Sequence, residues 1–322
     1  MTALLEVEGL SVSFRRPGRV ADLLTGARRQ TIDILIGVSL HLDAGETLGL
    51  VGESGSGKTT LIRSLIGLAP RSGGNVRYRG KPLATATEFA AIRTNIAMMF
   101  QDPVASLSPR LTVGALLAEP GRIHGLAGER PPAVVDRLLG LVGLSPTFAS
   151  RYPHELSGGQ ARRIGVARAL ALDPALILAD EPTAGLDVSV QGDILNLLRR
   201  LQRERGLAFV IVTHNLAVVR HVAHRLAVLY LGRIVETGPT KAIFAAPRHP
   251  YTHSLIEAEP KPDPRRRRQQ LAITGEVPSL LRRPSGCEFH TRCAIARERC
   301  RGEAPALIDA GGGRSVRCHF PL

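Results

Sequence analysis

The chain has 322 residues, of which 44% are hydrophobic and 22% are charged, and its formal net charge is +14. This length allows one large domain or two, and the ordinary apolar content excludes a disordered or collagen-like chain. Apolar runs stay well short of the roughly 18 residues that span a bilayer. Glu6 and Glu8 lie where a signal peptide would need a basic segment and an apolar core, so we expect a cytosolic chain.

The positive charge is concentrated towards the C-terminal end. Residues 261–322 contain 13 Lys and Arg against six Asp and Glu, a net charge of +7. This asymmetry indicates an anionic neighbour, either nucleic acid or a lipid surface, or an Arg-rich genome composition. Aromatic residues are scarce and Trp is absent, which argues against a stacking platform for single-stranded nucleic acid.

The chain begins with residues that predict short strands. Residues 4–7 and 11–14 read as two strands joined at Glu8-Gly9, followed by a basic loop at 15–30 and an alternating strand at 36–42. Phe14 is compatible with stacking on an adenine ring, and equally with a core position on a half-buried strand.

A phosphate-binding loop is predicted within residues 47–68, TLGLVGESGSGKTTLIRSLIGL. Residues 47–51 read as a buried strand, and apolar residues recur at helical spacing after Gly57. The loop fits G-x-x-x-x-G-K-[ST], in which backbone N–H groups surround the β-phosphate, Lys58 reaches the β- and γ-phosphates, and the Thr59 hydroxyl ligates Mg2+. The alternative is a glycine-rich turn with a solvated lysine. The residues predicted to hold the nucleotide are Gly52, Glu53, Ser54, Gly55, Ser56, Gly57, Lys58, Thr59 and Thr60.

The next segment is predicted to add a strand and a helical insertion. The strand at 96–100 ends in Gln101, whose carbonyl oxygen can reach the metal or the attacking water. From residue 103 to about 149 the pattern changes to helical segments with Pro and Gly breaks, such as 113–118 and 133–142. We interpret this region as a helical insertion carried on a nucleotide-binding sheet.

A second anion site is indicated at Leu156-Ser157-Gly158-Gly159-Gln160, which precedes a helix. Ser157 at a helix start is ordinarily an N-cap, and that reading stays open. The two glycines inside the cap leave N–H groups facing outward, which suits a phosphate brought by another subunit. Ile164, Ala167, Leu170 and Ala171 are predicted to share the apolar face of this helix.

Acidic residues and a histidine end two further predicted strands. The apolar run 176–179 ends in Asp180 and Glu181, which suits Asp180 beside the metal and Glu181 as the acceptor of a proton from the attacking water. The alternative is a solvated helix start. A turn at 184–187 ends in Asp187, and the strand 208–212 leads to His214, where ligands collect in open α/β sheets. A hairpin around Gly232 is predicted next.

In combination, these motifs resemble the ATP-binding subunit of ABC transporters over about residues 4–238. The family's motifs correspond to Walker A at residues 52–59, the Q-loop Gln101, the signature LSGGQ, Walker B at 176–181, the D-loop Asp187 and the switch His214. The resemblance implies that two such domains pair head to tail. ATP at Lys58 and Thr59 of one is then closed over by Ser157 and Gly159 of the other. It also implies hydrolysis by Glu181, with His214 holding the γ-phosphate and Gln101 relaying motion to membrane helices.

A finer resemblance is to the oligopeptide/dipeptide importer branch, which also includes nickel importers. The segments FQDPVASLSPR, RYPHELSGGQ, ADEPTAGLDVSVQ and HPYTHSLIEAEP carry it, together with the cysteine-bearing tail. In members with this tail, such cysteines are associated with an iron–sulfur cluster, and four thiolates suit a 4Fe-4S centre. Zinc is the alternative, although the spacings lack close C-x2-C pairs. The predicted cluster ligands are Cys287, Cys293, Cys300 and Cys318.

The sequence therefore predicts an α/β fold, a P-loop nucleotide-binding core with an antiparallel β edge and a helical insertion. We expect an ATPase domain at residues 1–245, with the insertion at about 103–165, and a cysteine-bearing extension at 246–322. The resemblance implies a second, non-identical ATPase subunit, two membrane permeases and an extracytoplasmic solute-binding protein. It places the chain peripherally on the cytoplasmic face of the membrane.

Two other functions are each compatible with one feature of the sequence. A soluble ABC ATPase acting on nucleic acid or ribosomes is permitted by the basic charge. It would ordinarily carry two nucleotide domains or long coiled-coil insertions, which this sequence lacks, so no nucleic-acid partner is expected. An iron–sulfur assembly ATPase would explain the cysteines but not the importer-like tail. The run Arg265–Arg268 predicts a contact with the cytoplasmic leaflet or with the partner subunit.

Overall fold

The structure is a computed structural model, and it describes residues 3–15, 31–102, 105–125, 131–259 and 275–322. The predicted basic loop between the first strands and the Arg265–Arg268 run lie outside these described residues. Within them, none of the helices combines the length and the apolar character that crossing a bilayer requires.

Twelve strands occur among the described residues. They are β1 (Leu5–Arg15), β2 (Thr31–Leu42), β3 (Thr47–Val51), β4 (Gly73–Tyr78), β5 (Lys81–Pro82), β6 (Ile96–Met99), β7 (Leu176–Asp180), β8 (Ala208–Thr213), β9 (Arg225–Tyr230), β10 (Arg233–Pro239), β11 (Ile308–Gly311) and β12 (Arg314–Val316).

Ten α-helices occur in the same described ranges, with short 3-10 turns at Pro146–Ser150, Pro153–Glu155 and His290–Arg292. The helices are α1 (Lys58–Leu65), α2 (Ala86–Ile92), α3 (Val113–Ile123), α4 (Pro131–Leu141), α5 (Gly158–Ala169), α6 (Val188–Arg205), α7 (Leu216–Val222), α8 (Thr240–Ala245), α9 (Pro250–Glu257) and α10 (Glu298–Gly302).

The first of two compact units comprises residues 1–42, 48–84 and 214–322. It contains an antiparallel sheet of order β2-β1-β4-β5 and a second run of strands, β11-β12-β10-β9-β3, in which β3 and β9 are parallel. The C-terminal strands β11 and β12 extend this sheet beyond β10. Its core joins the C-terminal region to β9, since the rings of Tyr251 and Phe289 pack on Tyr230 at centroid distances of 4.7 and 5.3 Å.

The second unit comprises residues 43–47 and 85–213. Its parallel strands follow the order β8-β7-β6, and every residue of β7 and β8 is buried. Both faces of these strands are apolar because helices cover them, as is usual for a parallel sheet. Helix α6 buries Ile194, Leu197, Leu198 and Leu201, which confirms the face predicted for it.

Most predicted elements are confirmed, with three corrections. The two strands expected at 4–7 and 11–14 form one strand, β1, because a bulge around Glu8 and Gly9 shifts the pairing register without ending the strand. Helix α5 ends at Ala169, with Leu170 as its buried C-cap, so of the four residues predicted on the apolar face only Ala171 lies beyond the helix. Phe14 of β1 pairs with Ile32 of β2, and 40% of the surface of Phe14 is exposed, so Phe14 is not a core residue.

The predicted hairpin around Gly232 is confirmed and supports the phosphate-binding loop. The Gly232 N–H donates to the carbonyl oxygen of Ser56, and its own carbonyl oxygen accepts from Ile36 N–H, both at 2.9 Å. Its φ is 77°, and a Cβ there would overlap the carbonyl oxygen of Ile34. Only glycine meets both constraints without displacing the backbone.

We expect Gly232→Ala to lower the free energy of unfolding by about 3 kcal/mol or more, since left-handed strain and overpacking add. Gly80→Ala is the matched control, because Gly80 has a φ of 75° and open space where its Cβ would lie. It should cost about 1 kcal/mol. Urea unfolding measures both values. Equal losses in the two variants would show that the hairpin tip does not require glycine.

Candidate nucleotide-binding site

The predicted phosphate-binding loop connects β3 to α1 in the first unit. Gly52, Gly55 and Gly57 have φ values of 157°, 77° and 101°. A Cβ on Gly52 would overlap the carbonyl oxygen of Leu229, so the neighbouring strand leaves no room for a side chain. Helix α1 starts at Lys58 after Gly57, which makes no side-chain cap bond. This loop therefore presents backbone at a helix N-terminus, the arrangement that binds phosphate.

Lys58 is buried in this loop, with its ammonium group held by loop oxygens. Its Nζ donates to the carbonyl oxygens of Gly52 at 2.8 Å and Glu53 at 2.9 Å, and lies 3.4 Å from Ser56 Oγ. These bonds satisfy a cation that burial would otherwise destabilise. Lys58 and the backbone of Glu53 are thus fixed relative to each other.

The C-terminal region contacts the phosphate-binding loop at Glu53. Arg292 binds the Glu53 carboxylate through both guanidinium nitrogens, at 2.7 and 3.0 Å, and Glu53 N–H donates to the Tyr251 hydroxyl at 2.9 Å. Burial alone would lower the pKa of Arg292, but the bonds to Glu53 and Tyr230 outweigh it and raise that pKa. Neither Arg292 nor Tyr251 was predicted as part of this site, because both lie more than 190 residues along the chain from Glu53.

The signature segment forms a capped helix start in the second unit. Ser157 Oγ accepts from Gln160 N–H at 3.3 Å, and the Gln160 side chain accepts from Ser157 N–H at 3.0 Å, so the two form a capping box. A Cβ on Gly159 would lie 2.7 Å from a methyl carbon of Val190 in α6. The N-cap reading is confirmed, and glycine is also required here by packing. The helix start remains a predicted phosphate contact.

The end of β7 places two carboxylates in a constrained segment of the second unit. Asp180 is buried as the last residue of β7. Glu181 follows with a φ of 48°, its N–H donating to Val212 O at 2.9 Å and its Oε2 accepting from Thr213 Oγ1 at 3.1 Å. A non-glycine residue held in the left-handed region stores strain that is concentrated at functional positions. This observation supports a catalytic role for Glu181.

Asp187 directly precedes α6 in the second unit, and His214 lies shortly before α7 in the first unit. The Asp187 carboxylate caps α6 by accepting from Val190 N–H at 2.9 Å, and this bond and the Ser189 hydroxyl lower its pKa. His214 follows β8 and is exposed. Asp187 therefore has a structural role as an N-cap in addition to its predicted D-loop role.

Gln101 is exposed just after β6, and a buried arginine holds its backbone. Arg162 of α5 donates to the carbonyl oxygens of Gln101 and Ala184, each at 3.0 Å, and of Phe100 at 3.4 Å. Burial lowers the pKa of Arg162, while the charge of Asp102 acts in the opposite direction. Arg162 thus joins the Gln101 segment, the signature helix and the loop after Glu181. It was not predicted, because nothing in the sequence indicates these long-range carbonyl partners.

A cavity of about 240 Å3 lies beside the Gln101 segment in the second unit. Its walls are mainly apolar side chains of β6, α5 and the segment 106–107, and three arginines line it as well. The residues that define it are Arg93, Met98, Phe100, Leu107, Arg162 and Arg168. An apolar cavity with a few charged groups is typical of a binding site.

The four cysteines line one small cavity in the first unit, with about 10 Å3 of free volume, roughly the room for one water molecule. They form no disulfide, and Cys300 is buried. Burial raises the pKa of Cys287 to about 11, with the other cysteines adding to the effect. Among the described residues, His, Cys, Asp and Glu form no group of three or more that could hold a metal ion. Four thiols are suitable ligands for a thiolate-bound metal centre. In this structure, however, they are not arranged to hold a metal ion.

His249 is buried at the start of α9, close to this region. Its Nδ1 accepts from the Tyr251 backbone N–H at 3.0 Å, and the backbone N–H of His249 donates to the Glu236 carboxylate at 2.9 Å. Burial lowers the pKa of His249 to about 3. The unfolded chain, with a histidine pKa near 6.5, therefore binds a proton that the folded chain excludes.

We expect this difference to destabilise the protein in acid. The contribution of His249 is complete above about pH 6.5 and is lost as the pH falls towards 3, by about 1.4 kcal/mol per pH unit. Unfolding free energies of the wild type and of His249→Asn, which retains a capping oxygen, measure it between pH 7 and 5. A His249→Asn curve with the same slope would assign the acid sensitivity to other groups.

The chain is similar to known proteins of ABC transporters. Residues 35–184 match the model of the ABC transporter family, and residues 235–300 match that of the oligopeptide/dipeptide transporter C-terminal region. The "Probable peptide ABC transporter ATP-binding protein y4tS" of Sinorhizobium fredii is 52% identical over 88% of this chain and 81% of its own length. The oligopeptide transport ATP-binding protein OppF of Escherichia coli is 45% identical over 90% and 88%.

Solved structures agree. The ATP-binding cassette MJ0796, solved as a dimer in a post-hydrolysis state with ADP and Pi, superimposes with a TM-score of 0.63 at 29% identity, covering 73% of this chain and 98% of that one. CbiO1 of Clostridium perfringens, part of the ABC transporter complex CbiONQ, gives a TM-score of 0.64 at 26% identity over 76% and 92%. The chain therefore belongs to the ATP-binding proteins of ABC transporters, in the branch with the oligopeptide/dipeptide transporter C-terminal region.

Proposed function

We propose that this chain is the ATP-hydrolysing subunit of a peptide importer, on the cytoplasmic face of the membrane. The observation that carries the proposal is the combination of an ABC phosphate-binding loop with a C-terminal region of the oligopeptide/dipeptide type that packs onto that loop. Relatives named as peptide or oligopeptide transport ATP-binding proteins support it.

In the proposed mechanism, the loop from Gly52 to Thr60 holds the ATP phosphates and Lys58 binds the β- and γ-phosphates. Thr59, Asp180 and Gln101 would hold Mg2+. Glu181 accepts the proton of the attacking water, and His214 contacts the γ-phosphate. Mg2+ would supply charge neutralisation on the transferring phosphoryl group.

The site is completed by a second ATPase subunit, which we propose to be related but non-identical. Its signature helix would close over the ATP bound here, while Ser157 and Gly159 of this chain would close over the partner's ATP. Phe14, exposed on β1, is proposed to stack on the adenine. The dimeric state of the structural relative MJ0796 supports pairing.

The cavity beside Gln101 is proposed to accept a cytoplasmic helix of a membrane permease. Its apolar walls suit the apolar face of a helix, and its arginines suit acidic residues on that helix. Arg162 lines the cavity and also binds the Gln101 backbone, which gives a physical route from the docked helix to the nucleotide site.

The four-cysteine cavity is proposed to hold a 4Fe-4S cluster. Four thiols lining one cavity support this proposal, and a cluster would require more room than the about 10 Å3 that is free in this cavity. Anaerobic purification followed by iron and acid-labile sulfide assays tests it. About four irons and four sulfides per chain, lost in Cys287→Ser, are expected; colourless protein without iron would contradict it.

Affinity purification of the tagged chain from gently solubilised native membranes tests the transporter proposal as a whole. Two permeases and a sister ATPase, with an extracytoplasmic solute-binding protein encoded alongside them, are the expected partners. A nickel-specific binding protein would favour the nickel importers of the same branch. Recovery with ribosomes in a membrane-free fraction would contradict import.

A further inference from the structure

Glu53, the second residue of the phosphate-binding loop, is fixed at three separate atoms. Its backbone N–H is bound by the Tyr251 hydroxyl, its carboxylate by Arg292, and its carbonyl oxygen by the Lys58 ammonium. The neighbouring Ser54 and Gly55 are exposed. Glu53 is therefore the residue through which the C-terminal region restrains this loop.

Two of the three restraints come from the C-terminal region rather than from the loop. Tyr251 lies in α9 and is fully buried, and the Arg292 side chain is 6% exposed at the end of the 3-10 turn His290–Arg292. Both contact Tyr230 of β9, Tyr251 through its ring and Arg292 through its guanidinium. These partners are rigidly packed, so they can hold a loop in place.

This contact differs from an ordinary surface ion pair. The pair between Arg299 of α10 and Glu303, which follows that helix, has side chains that are 58% and 57% exposed, so solvent screens it. The Arg292–Glu53 pair is bidentate and largely enclosed, which gives it directional strength. Its removal would leave a loop carboxylate without its guanidinium partner.

Loss of the Arg292–Glu53 pair is expected to displace Lys58, the side chain that we propose binds the ATP phosphates. Because the Glu53 carbonyl oxygen is one of the two carbonyl acceptors of Lys58, a displaced Glu53 backbone displaces the ammonium with it. A misplacement of about 1 Å at an enzyme's site can lower the rate of the catalysed reaction by about 100-fold. Gly52, directly before Glu53, and Gly55, two residues after it, allow such movement.

We propose that Arg292 and Tyr251 are positioning residues for ATP binding, through which the C-terminal region sets the affinity of the phosphate-binding loop for nucleotide. The proposal rests on the proposed function in one respect, that this loop binds the phosphates of ATP. It gives the C-terminal region a role within the nucleotide site itself.

Equilibrium binding of a fluorescent ATP analogue to the purified full-length chain tests this inference. Arg292→Met and Glu53→Gln are each expected to raise the Kd about tenfold. In the subunit assembled with its partners, they should raise KM for ATP with a smaller change in kcat. Arg299→Met is the matched control, because it removes an arginine of the same region whose partner is remote from the loop, and its Kd should equal that of the wild type.

A double-mutant cycle separates positioning from general stability. Adding Arg292→Met to Glu53→Gln should produce no further rise in Kd, since the two residues act through one contact. Tyr251→Phe keeps the packed ring and removes only the acceptor of the Glu53 N–H, so it provides a second test if Arg292→Met does not fold. We expect it to raise the Kd about threefold.

Three results would overturn the inference. Folded Arg292→Met and Tyr251→Phe that bind the analogue within twofold of the wild type would show that the C-terminal contact does not position the loop. Additive losses in the double variant would assign the effects to separate causes. A wild-type chain that fails to bind the analogue would instead contradict the proposed function, and this inference with it.

Discussion

Glu181→Gln is expected to reduce ATP turnover by about 10²- to 10⁴-fold while leaving ATP binding intact. The glutamine keeps an oxygen that can accept the Thr213 hydroxyl bond seen at 3.1 Å, so the strained backbone at this position should be retained. It removes the basic lone pair that takes the proton of the attacking water. Steady-state phosphate release and equilibrium ATP binding measure the two effects.

Glu204→Gln provides the control, since Glu204 is an exposed carboxylate near the end of α6 and undergoes the same chemical change. It should leave turnover unaltered. A Glu181→Gln enzyme that turns over ATP within threefold of the wild type would rule out Glu181 as the general base. Loss of ATP binding would instead indicate that the carboxylate holds the site together.

Arg162→Met is expected to lower the free energy of unfolding by about 3 kcal/mol, since three carbonyl oxygens in a partly buried environment lose their donor together. ATP turnover of the assembled transporter should also fall, because the Gln101 segment loses its connection to the signature helix. Urea unfolding and phosphate release are the measurements.

Arg163→Met is the matched control on the same helix. Arg163 donates to one carbonyl oxygen, that of Val142 at 2.8 Å, and is 25% exposed, so its loss should cost about 1 kcal/mol. Equal destabilisation by both variants, or full turnover in Arg162→Met, would contradict the role assigned to Arg162.

The sequence was most informative where a local pattern determines the structure. The run 176–179 is apolar throughout because it is buried on both faces, and the predicted strand matches β7, which extends one residue further to Asp180. The hairpin around Gly232 and the apolar face of α6 were predicted for similar reasons. The bulged strand β1 was predicted as two strands because the bulge at Gly9 interrupts the alternation and shifts the pairing register without ending the strand.

Long-range polar contacts could not be predicted in the same way. Arg162 and Arg292 look like ordinary charged residues, and only the fold brings them to carbonyl or carboxylate partners 61 and 239 positions away. Clustering in sequence did predict that the four cysteines would share one cavity. It could not predict their arrangement, which depends on the folded C-terminal region around them.

The central claim, that ATP hydrolysis by this chain drives peptide uptake, is tested most directly by transport itself. Uptake of a labelled peptide mixture would be measured in cells producing the wild-type chain or Glu181→Gln at equal levels. Peptide accumulation that requires the wild-type chain and falls to background with Glu181→Gln is the predicted result. Equal accumulation in both strains would contradict the claim, because transport would then proceed without hydrolysis at this site.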